Sequence, residues 1–326
     1  MGVYYEDDLV TLFHGEAGVV ALDLEPRSVQ TIVTSPPYFG LRDYGVDGQL
    51  GAETSVQEYV DRLVGVFDAL RDVLADDGTL WLNLGDSYSV RWGSVRKRGR
   101  AGLNGDDDTR TRSGSAPMPE KNLVGVPWRV AFALQDAGWI LRSDIIWAKP
   151  NPMPESVTDR PTKAHEYLFL FSKSPRYYYD AAAIAEPVAA STVARLTQAG
   201  LDAQAPRFGG AKYGDDDSET TRTKSGNEYV STGRANRRTV WTVATVPFTE
   251  SHFAVYPPEL IRPCILAGSR PGDTVLDPFS GSGTTGMVAT EEGRKYIGID
   301  LNREYLDLSL RTRFAQPVLN LTGGVA

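Results

Sequence analysis

One stretch narrows what this chain can fold into more than any other: "TVLDPFSGSGTTG", Thr274 to Gly286. A β-like run of Thr274, Val275 and Leu276 enters it and a helix-like run leaves it. Inside it, Gly281, Gly283 and Gly286 spell G-x-G-x-x-G, and Asp300 follows 19 residues after Gly281. A strand, a glycine turn and a helix, with an acid at the end of the next strand, hold an adenosine-ribose ligand on the carboxyl rim of an α/β sheet. The pattern satisfies the dinucleotide fingerprint, so a nicotinamide-dependent dehydrogenase is one reading. It lacks the lysine of a P-loop.

The rest of the chain alternates in the same way. Residues 11–15, 29–35, 79–85, 139–149, 166–174, 274–276 and 295–300 read as strands. Residues 55–75 place Tyr59, Leu63, Val66, Phe67, Leu70, Val73 and Leu74 at helical spacing, with Asp76-Asp77-Gly78 as a stop. Residues 127–137, 258–267 and 302–313 are further helices. Seven strands with interleaved helices predict an α/β fold with a largely parallel sheet. Two segments break the pattern. Residues 91–120, rich in Arg, Gly, Ser and Asp, are expected to form a mobile loop. Residues 176–245 are polar and irregular and read as an insert.

Composition removes several classes. No run of about 18 apolar residues exists, so no membrane helix is expected. The opening "MGVYYEDDLV" shows no secretory pattern. Cys264 is the one cysteine, which leaves no disulfide or cysteine-based zinc site within the chain and suits a reducing, cytoplasmic setting. His14, His165 and His252 show no zinc-hydrolase spacing. A net charge of -8 argues against a uniformly basic nucleic-acid binder but permits local phosphate-binding patches.

A second motif bears on the first. Thr34-Ser35-Pro36-Pro37-Tyr38 follows the strand "VQTIV" directly, which sets it on the same rim as the glycine loop. Alone it reads equally as a rigid turn. Paired with "DPFSGSGTTG" it resembles the amino-group DNA methyltransferases. These move methyl from S-adenosylmethionine to N4 of cytosine or N6 of adenine, with a catalytic (Asn/Asp/Ser)-Pro-Pro-(Tyr/Phe/Trp) motif. The order here, with the catalytic motif first, then the insert, then the cofactor motif, is similar to the family's β class, over roughly residues 8 to 313.

The resemblance implies a Rossmann-like, seven-stranded methyltransferase sheet that is circularly permuted, with an inserted target-recognition region. Residues 1–175 form the catalytic half, 176–245 the insert, 246–315 the cofactor half and 316–326 a tail. It also implies S-adenosylmethionine as cofactor, double-stranded DNA as partner and, as often in the β class, a homodimer.

The chemistry of such a site assigns roles. An exocyclic amine is a weak nucleophile because its lone pair is delocalised into the ring. Ser35 Oγ and the Pro36 carbonyl suit acceptance of its two N–H bonds. Pro36 and Pro37 stiffen the backbone that aims them, and Tyr38 suits stacking on the base. The base must leave the duplex to be reached. Asp277 suits the cofactor's ammonium, and Pro278, Phe279, Gly281, Gly283, Thr284 and Thr285 form the rest of its loop. Asp300 suits the ribose hydroxyls, and Glu16, where the family usually has Asp, the adenine. Turn or helix-cap readings stay open for Asp277 and Asp300. "SHFAVYPPEL" resembles the segment under the methionine end, which offers His252, Phe253 and Ala254; Tyr256-Pro257-Pro258 reads as a helix entry.

For DNA phosphate, Arg91, Arg96, Lys97, Arg98 and Arg100 form one basic cluster, and Arg234, Arg237 and Arg238 a second inside the insert. Lys149 reads as a phosphate contact or a solvated strand end, and Trp147 as a base-stacking or a core residue. Cys264 lies in an apolar helix and reads as core. Serine at the first motif position leans toward N4 of cytosine, with N6 of adenine as the alternative.

Overall fold

The seven strands read from the sequence form the centre of one nine-stranded sheet. The chain is described by a computed structural model over residues 2–40, 46, 48–89, 118–188, 234–246 and 256–314. Arg91, Arg96, Lys97, Arg98, Arg100, His252, Phe253 and Ala254 lie outside these residues, as does most of both irregular segments. In chain order the strands are β1 (Val3–Glu6), β2 (Val10–His14), β3 (Val29–Thr34), β4 (Leu74–Leu84), β5 (Ile140–Ala148), β6 (His165–Ser172), β7 (Glu186–Pro187), β8 (Arg234–Ala235), β9 (Val240–Thr242), β10 (Thr274–Asp277) and β11 (Lys295–Asp300). The helices are α1 (Ala17–Ala21), α2 (Val56–Val73), α3 (Val126–Asp136), α4 (Pro258–Gly268), α5 (Thr284–Glu291) and α6 (Arg303–Ser309).

The sheet runs β1-β2-β11-β10-β3-β4-β6-β5-β9. From β2 to β4 every pairing is parallel. Strand β6 runs against both β4 and β5, so β5 points the same way as the parallel set. The central strands are apolar on both faces, as parallel strands between helix layers must be. Ile32, Leu80, Leu82, Phe169, Phe171 and Leu276 are fully buried in one core with Tyr59, Leu63, Phe67 and Leu70 of α2. Helix α2 starts where Ser55 accepts the Glu58 N–H and Glu58 reaches back to Thr54 N–H, a reciprocal cap.

Spatially consecutive strands β2, β11, β10 and β3 come from the two ends of the sequence, the permutation expected. Two flanking strands were not predicted. β1 pairs antiparallel with β2, and β9 pairs parallel with β5. The latter lies within the segment read as non-sheet insert. Contacts divide the chain into residues 1–180 with 238–326, and residues 181–237. Within the smaller unit, β7 and β8 pair antiparallel. Helix α2 also ends sooner than read, at Val73, because β4 begins directly at Leu74.

Candidate active site

Parallel pairing puts the carboxyl ends of β2, β3, β4, β10 and β11 on one rim. The reversed strand β6 delivers its amino end there, with His165 and Glu166. The chain order reverses between β10 and β3, which is where open α/β sheets bind ligands. The glycine loop leaves β10 and the Ser-Pro-Pro-Tyr loop leaves β3, so the two motifs meet at this switch point.

Asp277 joins them. Its Oδ1 accepts from Thr34 Oγ1 at 2.6 Å and Phe279 N–H at 3.0 Å. Its Oδ2 accepts from Thr285 Oγ1 at 2.6 Å and Tyr256 Oη at 3.1 Å. Four donors compensate a carboxylate that is only 2% exposed. Burial still raises its pKa above the usual aspartate value, against the pull of the Thr285 and Thr34 hydroxyls. Thr34 precedes Ser35, so Asp277 ties the glycine loop to the start of the Ser-Pro-Pro-Tyr motif.

The three glycines do different work. Gly281 donates its N–H to Asp300 Oδ2 at 2.7 Å. Gly283 starts α5 with φ 77°, a left-handed conformation that a side chain resists. At Gly286 a Cβ would sit 2.5 Å from the Tyr296 ring, so this glycine lets α5 pack closely on β11. Gly283 and Thr285 shape the loop and are absent from the cleft wall, whereas Thr284 lines it.

The Ser-Pro-Pro-Tyr loop is held from beneath. Tyr59 Oη donates to the Pro37 carbonyl at 2.9 Å. No described residue donates to the Pro36 carbonyl, the one assigned to the amine. Tyr38 packs over Gly85, where a Cβ would come within 2.5 Å of its ring. Its hydroxyl lies 2.8 Å from Glu166 Oε2 and 3.1 Å from Asn83 Oδ1, and it accepts from Ser35 Oγ at 3.3 Å. Burial, then the Glu166 charge, raises the Tyr38 pKa well above its ordinary value. Farther along, Gly51 N–H and Arg62 both bind the buried Glu53, the latter at 2.6 Å.

A cleft of about 1110 Å³, open solvent included, runs along this rim. Its lining brings together Ser35, Pro37, Asp277, Pro278, Phe279, Gly281, Thr284, Asp300 and Glu16 from the residues read in the sequence. Pro36 is buried behind it and Tyr38 faces the Glu166 side. Glu16 has a second role: its two carboxylate oxygens accept the Gly18 and Val19 N–H groups and cap α1.

Several readings change. Lys149 turns inward, with Nζ 2.5 Å from Glu166 Oε1 and 4.1 Å from the Trp147 ring centroid, rather than outward toward phosphate. Trp147 is core, 3% exposed, and donates to the Val243 carbonyl. Cys264, by contrast, is buried in α4 as read. The Arg234 guanidinium engages the Ala185 carbonyl within the smaller unit, to which Arg237 belongs; Arg238 belongs to the larger. Tyr256 stands at the helix entry, as read, and also lines the cleft and binds Asp277. Arg62, Gln49 and Tyr305 line it too. Nothing in their local sequence marked them, because each reaches the site through the fold.

With this geometry in view, the comparisons with known proteins decide the family. A DNA methylase family model covering N6 and N4 enzymes matches residues 29–311. The chain belongs to that family. It is 46% identical over 307 residues to the type II methyltransferase M.Cfr9I of Citrobacter freundii, covering 92% of this chain and 86% of that one. Among solved structures, the cytosine-N4-specific PvuII DNA methyltransferase matches with a TM-score of 0.63 at 18% identity, covering 98% of this chain and 90% of that one. A Thermus thermophilus protein complexed with S-adenosyl-L-methionine matches with a TM-score of 0.55 at 22% identity, covering 93% and 94%. The dehydrogenase reading is thereby overturned. The enzyme is a DNA methyltransferase of that family, and S-adenosylmethionine is the cofactor that its sequence resemblance implies.

The residues present fit that cofactor. Asp277 and Asp300 place two carboxyl groups around the glycine loop, and no basic side chain pairs with either among the described residues. Such a site favours a sulfonium and an ammonium and repels a pyrophosphate. Burial pushes the Asp300 pKa to about 7, although the Asn302 and Gly281 N–H groups pull it down. Affinity for S-adenosylhomocysteine should therefore rise as pH climbs through about 7, where Asp300 becomes a full hydroxyl acceptor. Calorimetric titration across that range checks this, and Asp300→Asn should flatten the profile. The sign for folding is opposite. The native state keeps a proton that the unfolded chain loses near 3.8, so this group's contribution to stability falls as pH rises from about 4 to about 7.

Proposed function

We propose that this enzyme methylates N4 of cytosine in a base flipped out of duplex DNA, as a type II modification methyltransferase. The observation that carries it is Ser35 on the cleft wall, held beside Asp277 through Thr34 and directly followed by Pro36, whose carbonyl takes no donor among the described residues. Bound in the cleft, the cofactor supplies a methyl group from a cationic sulfonium, the S–C electron pair staying on sulfur. Ser35 Oγ and Pro36 O accept the two amine N–H bonds. That geometry pulls the nitrogen out of conjugation and points its lone pair across the cleft. The Tyr59 bond to Pro37 and the Asp277 bond to Thr34 fix both ends of the acceptor pair before substrate arrives. Asp277 would meet the ammonium, Asp300 the ribose and Glu16 the adenine.

Serine supports cytosine because, in the family the chain resembles, Asp at this first motif position is the commoner form in the N6-adenine enzymes. The name of M.Cfr9I supports the type II modification reading, and the cytosine-N4-specific PvuII methyltransferase supports the base. Residues 176–245 would read the sequence, and the basic residues from Arg91 to Arg100 and Arg234 to Arg238 would meet phosphate. To test the base, the chain is expressed in a host free of DNA methylation, and genomic DNA is digested to nucleosides and weighed. N4-methylcytosine is expected. N6-methyladenine would reassign the target base within the same site.

A further inference from the structure

Methylation leaves a problem that the acceptor pair alone does not solve. An amine that has gained a methyl carries one proton too many, and that proton needs a destination. Ser35 Oγ lies next to it but is no base by itself. Behind Ser35 stands a line of hydroxyl and carboxylate groups that ends on a fixed cation.

Ser35 Oγ donates to Tyr38 Oη at 3.3 Å. Tyr38 has one proton and two acceptors within reach. Glu166 Oε2 at 2.8 Å is nearer and charged, while Asn83 Oδ1 at 3.1 Å is neutral. Donation to Glu166 leaves the Tyr38 oxygen to accept from Ser35, and this in turn leaves Ser35 Oγ open to accept from the amine. Glu166 Oε1 is held by Lys149 Nζ at 2.5 Å, with the side chains only 16% and 17% exposed. Lys149 rests over the Trp147 ring, and Trp147 is pinned by the Val243 carbonyl. Glu166 lies on β6 and Lys149 directly follows β5, two antiparallel strands paired where Trp147 faces Glu166. Asn83, anchored through Nδ2 on the Tyr167 carbonyl, closes the side of the line.

We propose that Ser35, Tyr38 and Glu166 form a proton relay for the methylated amine, with Glu166 as the terminal acceptor and Lys149 as its positioning residue. The amine N–H proton passes to Ser35 Oγ. The Ser35 proton passes to Tyr38 Oη, and the Tyr38 proton to Glu166 Oε2. The nitrogen becomes neutral, both hydroxyls are restored, and the carboxylate ends as a carboxylic acid that later returns its proton to water. A phenol held well above its ordinary pKa passes a proton on without building up as tyrosinate. This inference rests on the exocyclic-amine reading above.

The test uses the full chain in single-turnover methylation of unmethylated duplex DNA, with Tyr38→Phe, Glu166→Gln and the double variant. Both replacements keep shape, and affinities for S-adenosylhomocysteine and for DNA are measured on each. Each single variant should slow methyl transfer about 100-fold, with both affinities within about two-fold of wild type. The double variant should be no slower than the slower single one, within about three-fold, because one broken link already stops the line. Tyr38→Phe at the wild-type rate would overturn the relay, and so would losses that multiply in the double variant. A wild type that places no methyl on DNA would sink the functional reading and the relay together. A wild type that methylates while Tyr38→Phe does so equally fast sinks the relay alone.

Discussion

Asp277→Ala should lose most of its cofactor affinity and a substantial share of its stability together. The carboxylate accepts from Thr34, Thr285, Tyr256 and the Phe279 N–H, and it is buried. Removing it strands four donors, each of which costs about 1–3 kcal/mol when left without a partner, less whatever water can re-enter. A net loss of about 3 kcal/mol is expected, at the upper end of single-substitution effects. Losing the charge opposite the ammonium should weaken S-adenosylmethionine binding roughly 10- to 100-fold, since about 1.4 kcal/mol is worth ten-fold. Chemical denaturation and calorimetric titration measure the two effects separately. Wild-type cofactor affinity in a folded Asp277→Ala protein would refute its role in the cleft. Unchanged stability would refute its role as the tie between β3 and β10.

Ser35→Ala should separate cleanly from this. Ser35 is part-buried at the cleft wall and bonds only to Tyr38 among the described residues. Its loss removes one acceptor for the amine while the Pro36 carbonyl remains. Turnover should fall by a factor on the order of 100 to 1,000, the usual range for one preorganised polar group at a reacting centre. Cofactor affinity should stay within about two-fold, because Asp277, Asp300 and the glycine loop are untouched. Steady-state kinetics and cofactor titration on the same preparation check both halves. A variant with normal turnover would remove Ser35 from the chemistry.

The contrast shows which parts of the molecule were legible in the sequence. The glycine loop and the Ser-Pro-Pro-Tyr motif could be read because their demands are local. A positive φ at Gly283, a close approach at Gly286 and two rigid prolines are written into consecutive residues. The seven central strands were legible because burial on both faces requires unbroken apolar runs. The permutation followed from motif order alone.

What stayed hidden depends on long-range contact. Tyr38 and Glu166 lie 128 residues apart, and Thr34 and Asp277 lie 243 apart. Nothing in "HEYLFLFS" distinguishes a proton-accepting glutamate from the polar start of a strand. The inward turn of Lys149 is set by the strand beside it. Tyr256 looked like chain leading into Pro257 and Pro258, yet its hydroxyl reaches across to Asp277. Strand β9 is three residues long with one buried position, too short for periodicity to mark. Strand β1 has no buried residue at all and joins the sheet through its backbone.

One measurement bears on the central claim most directly. The purified protein is incubated with S-adenosylmethionine and unmethylated duplex DNA, and the DNA is digested to nucleosides and analysed by mass, with Ser35→Ala as the paired control. The account predicts N4-methylcytosine in the wild-type digest and at least a roughly 100-fold lower yield from the variant at equal time. Methyl on carbon 5 of cytosine, or no methylated nucleoside from varied DNA, would contradict it.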